Sequence, residues 1–145
     1  MRVLVQKVLS ASCEVDKKLI SKIDKGFLLL VGFTEGDNID TIKYMTNKII
    51  NLRVFEDSND VMNLSLKDAD GDILSISQFT LYGDASKGNR PSYIKAMKSE
   101  EAAKLYDLFN LELSNSYKEV KKGIFGANMK ISLINDGPTT ILLER

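Results

Sequence analysis

Apolar and polar positions alternate from Arg2 to Val15, the period of a strand that buries one face. Asp16-Lys17-Lys18 then makes a turn into a second short strand, Leu19 to Ile23, and the pair predicts a hairpin. Gly26 to Phe33 is a nearly continuous apolar run bounded by glycines, which predicts a strand buried on both faces. After Gly36-Asp37-Asn38 the period changes: Ile42, Met45, Ile49 and Ile50 recur at helical spacing, with Asn38 as the cap and Asp40 in the first turn. Strand character resumes at Arg53 to Phe55, and Glu56 to Asp60 reads as a polar turn. Asp72 to Leu81 reads as one strand, on which Leu74, Ile76, Gln78 and Thr80 share a face.

Gly83 to Pro91 is a loop of small and basic residues. Ser99-Glu100-Glu101 opens a second helix whose buried stripe is Ala102, Leu105, Tyr106 and Phe109. Beyond Val120 the chain returns to short strands, Met129 to Ile134 and Thr140 to Leu143, separated by a Gly137-Pro138 turn. Many strands interrupted by two helices predict an α+β fold, a curled sheet or β-barrel-like single domain over residues 1–145 with its two helices outside.

Composition narrows the chemistry. The 145 residues include no histidine, which removes the Ser-His-Asp triad, the Cys-His pair and any His-bearing zinc site. No paired-carboxylate, phosphate-loop or metal-ligand cluster stands out, so no metal and no cofactor are expected. Twenty basic and twenty acidic side chains cancel, which argues against a broad field for duplex DNA. The balance is uneven, however: Lys87, Arg90, Lys95 and Lys98 fall between Ala85 and Lys98 with no acid among them, and Lys121, Lys122 and Lys130 form a second basic group. A solvated lysine-rich face and a contact for a few phosphates of an RNA end both fit this pattern. The lone Cys13 lies in a strand-like setting and reads as a small buried hydrophobe in a reducing compartment. The N-terminal stretch is interrupted by charge too early for a signal peptide and no run approaches a membrane span, so the expected location is the cytoplasm.

Two stretches concentrate the remaining polar chemistry. Ser77-Gln78-Phe79-Thr80-Leu81 places two hydroxyls and an amide at the end of an otherwise apolar strand, where each must find a partner or a ligand. Asn135-Asp136-Gly137-Pro138-Thr139-Thr140 holds a stiff Gly-Pro unit without functional side chains, which can act only by presenting backbone. Arg90-Pro91-Ser92-Tyr93 could set a guanidinium near a phosphate or tie down its own loop. Asp84 and Asp136 are the nearest carboxylates that could serve as bases.

Gln6, the Ser77-to-Leu81 motif, Gly88 through Tyr93, Gly123 through Phe125 to Met129, and Asn135 to Pro138 together resemble the D-aminoacyl-tRNA deacylase family over the whole chain. The resemblance implies a barrel-like α+β fold and a homodimer in which Gly137-Pro138 of one subunit enters the other's site as a cis peptide. It implies that Ser77 to Leu81 line the adenosine and acyl-ester end of an aminoacyl-tRNA, that Phe125 forms part of the wall, and that Gly137-Pro138 excludes an L side chain. Gln6, Lys7 and Met129 join the substrate-binding set on the same grounds, and Phe79, Thr80 and Leu81 the catalytic set. The chain departs from the family where Lys7 replaces a frequent Arg and Thr139 a frequent Val; lysine lacks the rigid fork of arginine. The implied activity is hydrolysis of D-aminoacyl-tRNA, with glycyl-tRNA as a further substrate, by backbone donors rather than imidazole. Editing of a small L-aminoacyl-tRNA, with an opened pocket and a trans Gly-Pro bond, and a dimeric RNA-end binding module without catalysis are the alternatives.

Overall fold

The computed structural model describes residues 1–145. Strand β1 (Arg2–Val15) is the spine of the sheet because it is long enough to pair along both edges. On one edge its first half runs antiparallel to β3 (Gly26–Gly32) and its second half to β2 (Lys18–Ile23). On the other edge it runs antiparallel to β8 (Met129–Glu144), from Arg2↔Glu144 to Val15↔Met129. Strand β3 pairs in parallel with β6 (Asp72–Ser77), and β6 with the two-residue β7 (Lys121–Lys122). The order β2-β1-β3-β6-β7 curls until its ends meet, where the Ser21 hydroxyl donates to the Lys122 carbonyl at 3.0 Å. The result is a nearly closed barrel.

Two apolar clusters follow from this curl. Val8, Ala11, Cys13, Ile23, Leu28, Leu74 and Ile76 fill the barrel interior. The outer face of β1 and β3 (Val3, Val5, Phe27, Leu29, Val31) packs against helices α1 (Ile39–Ile50) and α2 (Ser99–Ser116). Strand β3 is therefore covered on both faces, as its continuous apolar run predicted. In α1 the Asn38 side chain accepts from the Asp40 and Thr41 amides at 2.9 and 3.2 Å, so the predicted cap is present. Helix α2 buries Ala102, Tyr106, Phe109 and Leu113, one turn further than the predicted stripe, with Leu105 only half-buried. Cys13 is fully buried, and burial pushes its thiol up from the ordinary value.

Three predicted elements take different forms. The expected strand Asp72 to Leu81 ends at Ser77, and Phe79–Tyr82 forms a single 3-10 turn, so Gln78 and Thr80 do not continue the face of Leu74 and Ile76. The expected strand at Arg53 is only β4 (Phe55–Glu56), paired across the polar turn with β5 (Met62–Leu64). The two expected C-terminal strands are one continuous β8, because β1 supplies a partner on both sides of the Gly-Pro unit. Between Gln6↔Thr140 and Val8↔Asn135 only Lys7 faces Asp136 through Thr139, so these residues are forced outward as a corner. No helix is long and apolar enough to cross a membrane.

Candidate active site

The parallel strands β3 and β6 end side by side, and a cleft of about 590 Å³ opens beyond their carboxyl ends. Crevices at this end of parallel strands are common ligand sites in α/β proteins, and the volume suits a small-molecule group. Ile76, Ser77 and Gln78 form its base and Phe79 one side. Tyr93, Ala96 and Met97 form a lip, Ser99 and Ala102 bring the start of α2, and Phe125 to Met129 close the far wall.

The departure from strand geometry at Ser77 is what exposes backbone donors here. The Gln78 amide still donates to the Val31 carbonyl at 2.7 Å, the last rung between β6 and β3. The chain then turns tightly over Gly32, where a Cβ would lie 2.9 Å from the Gln78 carbonyl oxygen and 3.4 Å from Leu81 and Tyr82. Leu81 donates back to Gln78 at 3.4 Å and Gly83 to Thr80 at 2.9 Å. The amides of Phe79 and Thr80, first in the turn, have no hydrogen-bond acceptor in the protein, as expected for the opening residues of a helical turn. Arg2 fixes the turn from behind, its Nη1 donating to the Leu81 carbonyl at 2.7 Å while its guanidinium lies 4.7 Å over the Tyr82 ring. Burial, with the nearby Asp37 charge, pushes the Tyr82 phenol up to about 12.

The side-chain amide Nε2 of Gln78 donates to the Thr80 hydroxyl oxygen. This bond positions the hydroxyl but cannot deprotonate it, since an amide N–H is only a donor. Phe79 and Tyr93 meet edge to face with ring centroids 5.1 Å apart, both partly exposed at the cleft mouth. Phe125 is braced from below by Tyr106, 5.9 Å away, whose hydroxyl donates to the Ser75 carbonyl at 2.8 Å.

Ser77, Gln78, Phe79, Phe125 and Met129 thus converge on the cleft, with Thr80 and Leu81 on the turn just behind Phe79. Gln6, Lys7, Gly137 and Pro138 do not line it. Gln6 lies on β1 and its amide donates to the Thr140 hydroxyl at 3.4 Å. Gly137 and Pro138 are exposed at the corner of β8, and their peptide is cis. Lys7 is 1 % exposed, its Nζ 2.6 Å from Glu56 and 3.2 Å from Asp136. Burial acts to lower its pKa, but the bonds to the two carboxylates outweigh this and hold it above the ordinary lysine value. Asn135 completes the brace, its side-chain amide donating to the carbonyls of Lys7 and Thr139 at 2.9 and 3.0 Å. The pattern does not single out Arg2, Ala96, Met97 or Ser99, and it marks Tyr93 only as the end of the Arg90-to-Tyr93 motif.

The fold is thus a nearly closed α+β barrel, with a cleft lined by hydroxyls and aromatic edges beside two unpartnered backbone amides. Residues 4–144 match the family described as D-Tyr-tRNA(Tyr) deacylase, and the chain belongs to that family. A D-aminoacyl-tRNA deacylase of Flavobacterium psychrophilum is 54% identical over 145 residues, spanning 99% of this chain and 97% of the relative. Among solved structures, one described as c-Myc DNA Unwinding Element Binding Protein superposes with a TM-score of 0.95 at 40% identity, covering 100% of this chain and 99% of that one. A probable eukaryotic D-amino acid tRNA deacylase has the same fold, with a TM-score of 0.83 at 18% identity over 98% of this chain and 97% of its own.

Proposed function

We propose that this protein hydrolyses the ester of D-aminoacyl-tRNA, and that of glycyl-tRNA, releasing the amino acid and the tRNA. The observation that carries this reading is the pair of unpartnered amides at Phe79 and Thr80 beside a cleft large enough for an aminoacyl-nucleoside end. An aminoacyl ester is activated already, so two preorganised N–H donors supply what the reaction lacks. Removing a single such donor in other enzymes costs about a hundredfold to a thousandfold in rate. Water adds to the carbonyl carbon, the negative charge on the former carbonyl oxygen is held by the two amides, and the ester C–O bond breaks. The departing ribose oxygen takes the proton, relayed by the adjacent ribose hydroxyl of the RNA itself. Thr80 positions, through its bond from Gln78, and does not attack, because no base lies on its hydroxyl.

Handedness is read by main chain in this account. The Gly137-Pro138 corner lies outside its own cleft, exposed and braced by Asn135, Asp136 and Lys7. A second copy would seat it beside the ester in a homodimer, where a side chain of L configuration would collide with it and a D side chain or hydrogen would not. Purified protein incubated with D-aminoacyl-, L-aminoacyl- and glycyl-tRNA, with ester loss followed over time, tests the reading. Rapid loss of the D and glycyl esters with the L ester at its spontaneous rate is the expected result. Loss of the L ester, or spontaneous rates throughout, would overturn it.

A further inference from the structure

Residues 84–98 form a lip of the cleft through Tyr93, Ala96 and Met97 but play no part in the chemistry above. This segment carries Lys87, Arg90, Lys95 and Lys98, with Asp84 as its single acid. The Asp84 carboxylate accepts from the Ser86 amide at 2.9 Å. None of the four cations forms an ion pair, although Lys7, Lys104, Lys118, Lys121 and Lys122 elsewhere do.

Unpaired surface lysines are ordinarily just solvated, but three observations set this group apart. The segment is fastened to the scaffold, so the charges stand on a fixed backbone. Asp84 and Ser92 exchange two main-chain bonds of 2.8 Å, the Thr34 hydroxyl donates to the Lys95 carbonyl at 2.6 Å, and the Met97 amide donates to the Phe33 carbonyl at 2.9 Å. The segment also leads into α2 at Lys98, which gives that 18-residue helix no side-chain cap, so the positive end of its dipole faces the same lip beside Ser99. Of the two acids in its first turn, Glu100 is taken up by Lys104 at 3.3 Å. Finally, the exposed Phe79 and Tyr93 rings line the cleft, and Tyr93 falls between Arg90 and Lys95 in the segment itself, an interleaving of aromatic faces and positive charge that suits an unpaired strand.

We propose that residues 85–98 are a docking surface for the phosphate backbone of the tRNA acceptor strand as it leads toward the cleft. Recognition of the RNA is then physically separate from recognition of the ester. The inference rests on the aminoacyl-tRNA reading for its occupant, and charge complementarity carries it: four unpaired cations on a fixed backbone stand at the lip of the cleft that would take the aminoacyl end of the same RNA.

The test compares the wild type with a triple variant, Lys87→Gln, Arg90→Gln and Lys95→Gln, on two substrates: full D-aminoacyl-tRNA and the corresponding 3′-D-aminoacyl-adenosine. On the adenosine ester the two proteins should match within about twofold. On the tRNA, kcat/KM of the variant should fall at least about tenfold at roughly 50 mM salt, with kcat at saturation retained. Its dependence on log salt should flatten by about 2, at about 0.7 for each of three single-strand phosphates no longer neutralised. A variant removing the same charge elsewhere, Lys18→Gln, Lys43→Gln and Lys67→Gln, should behave as wild type. An unchanged kcat/KM and salt slope on tRNA, or equal losses on both substrates, would overturn the proposal. Binding of uncharged tRNA reads the same surface without chemistry: the triple variant should lose most of the salt-dependent affinity even in a preparation that hydrolyses neither ester, an outcome that would sink the catalytic reading alone.

Discussion

Replacing Gly32 with alanine sets a methyl 2.9 Å from the Gln78 carbonyl oxygen and 3.4 Å from the Leu81 side chain. A carbon to carbonyl-oxygen contact is comfortable from about 3.3 Å, so the turn must retreat by about 0.4 Å or the strand must bend. Overpacking of this kind costs about 1–2 kcal/mol, which for a chain of this length lowers Tm by roughly 3–7 °C. The fold should survive. Activity should suffer more than stability, because the displaced residues include the Phe79 and Thr80 amides. If a misplacement of about 1 Å costs a hundredfold, a shift of about 0.4 Å costs roughly five- to tenfold. Loss of a whole donor, about a hundredfold or more, sets the upper end. Single-turnover hydrolysis of D-aminoacyl-tRNA by the variant, beside a thermal melt, gives both numbers. A wild-type rate at an unmoved Tm would show that the closeness of Gly32 to the turn does not position the donors, and the mechanism drawn from it would fall.

Thr80→Ala should keep turnover within about tenfold of wild type, since the hydroxyl positions rather than attacks, and a rate at the spontaneous background in a folded protein would instead make it a nucleophile. Lys7→Met keeps the buried volume but releases Asp136, so D-ester hydrolysis should fall by about tenfold to a hundredfold as the corner loosens, with Lys7→Arg restoring most of it; equal rates in all three proteins would remove Lys7 from the brace. Stability should hold from about pH 5 to pH 9 and fall outside those limits, as thermal melts across pH would show, the buried Cys13 thiol being the first group to weaken the fold as the unfolded chain ionises above 9.0. On the acid side Glu56, Asp57, Asp68 and Asp84 are held below their ordinary values of 4.5 and 3.8 by their bonds, so their contribution is present above those values and disappears as pH falls through the lowered ones. On the alkaline side Lys7 is raised, so its contribution is full below 10.5 and is lost as pH rises through the folded value. The Tyr82 phenol stays neutral in the fold up to about 12 while the unfolded chain ionises near 10.0. Melts that weaken between pH 6 and 9 would contradict this, there being no imidazole to titrate.

What could be read in advance was what local periodicity controls. The alternation of β1, the unbroken apolar run of β3 and the Asn38-capped stripe of α1 each declared both element and buried face. The 3-10 turn at Phe79 could not be seen, because Ser77 to Leu81 alternates like a strand. What turns it is the close pass over Gly32 and the grip of Arg2, residues some 46 and 79 positions away from those they touch. Nothing local marks Lys7 as buried, because its partners, Glu56 and Asp136, are distant in the chain, and only folding brings them around one ammonium. The continuity of β8 was hidden for a similar reason: a Gly-Pro pair looks like the end of a strand until a neighbour as long as β1 carries the ladder past it. Within the site, the polar motif at Ser77 to Thr80 announced itself by chemistry, whereas Ala96, Met97 and Ser99 contribute shape, which has no signature in a single sequence.

The central claim is that a main-chain corner of one subunit completes the cleft of another. Two variants isolate the halves: Pro138→Glu, which spoils the corner, and Ala127→Trp, which fills the cleft. Each alone should be inactive on D-aminoacyl-tRNA. Mixed after dissociation, they should form about half mixed dimers, each with one intact cleft facing one intact corner, and recover about a quarter of the wild-type activity. Mixed dimers demonstrated by differential tags that remain inactive, or a Pro138→Glu protein that keeps full D-selective activity by itself, would contradict the account.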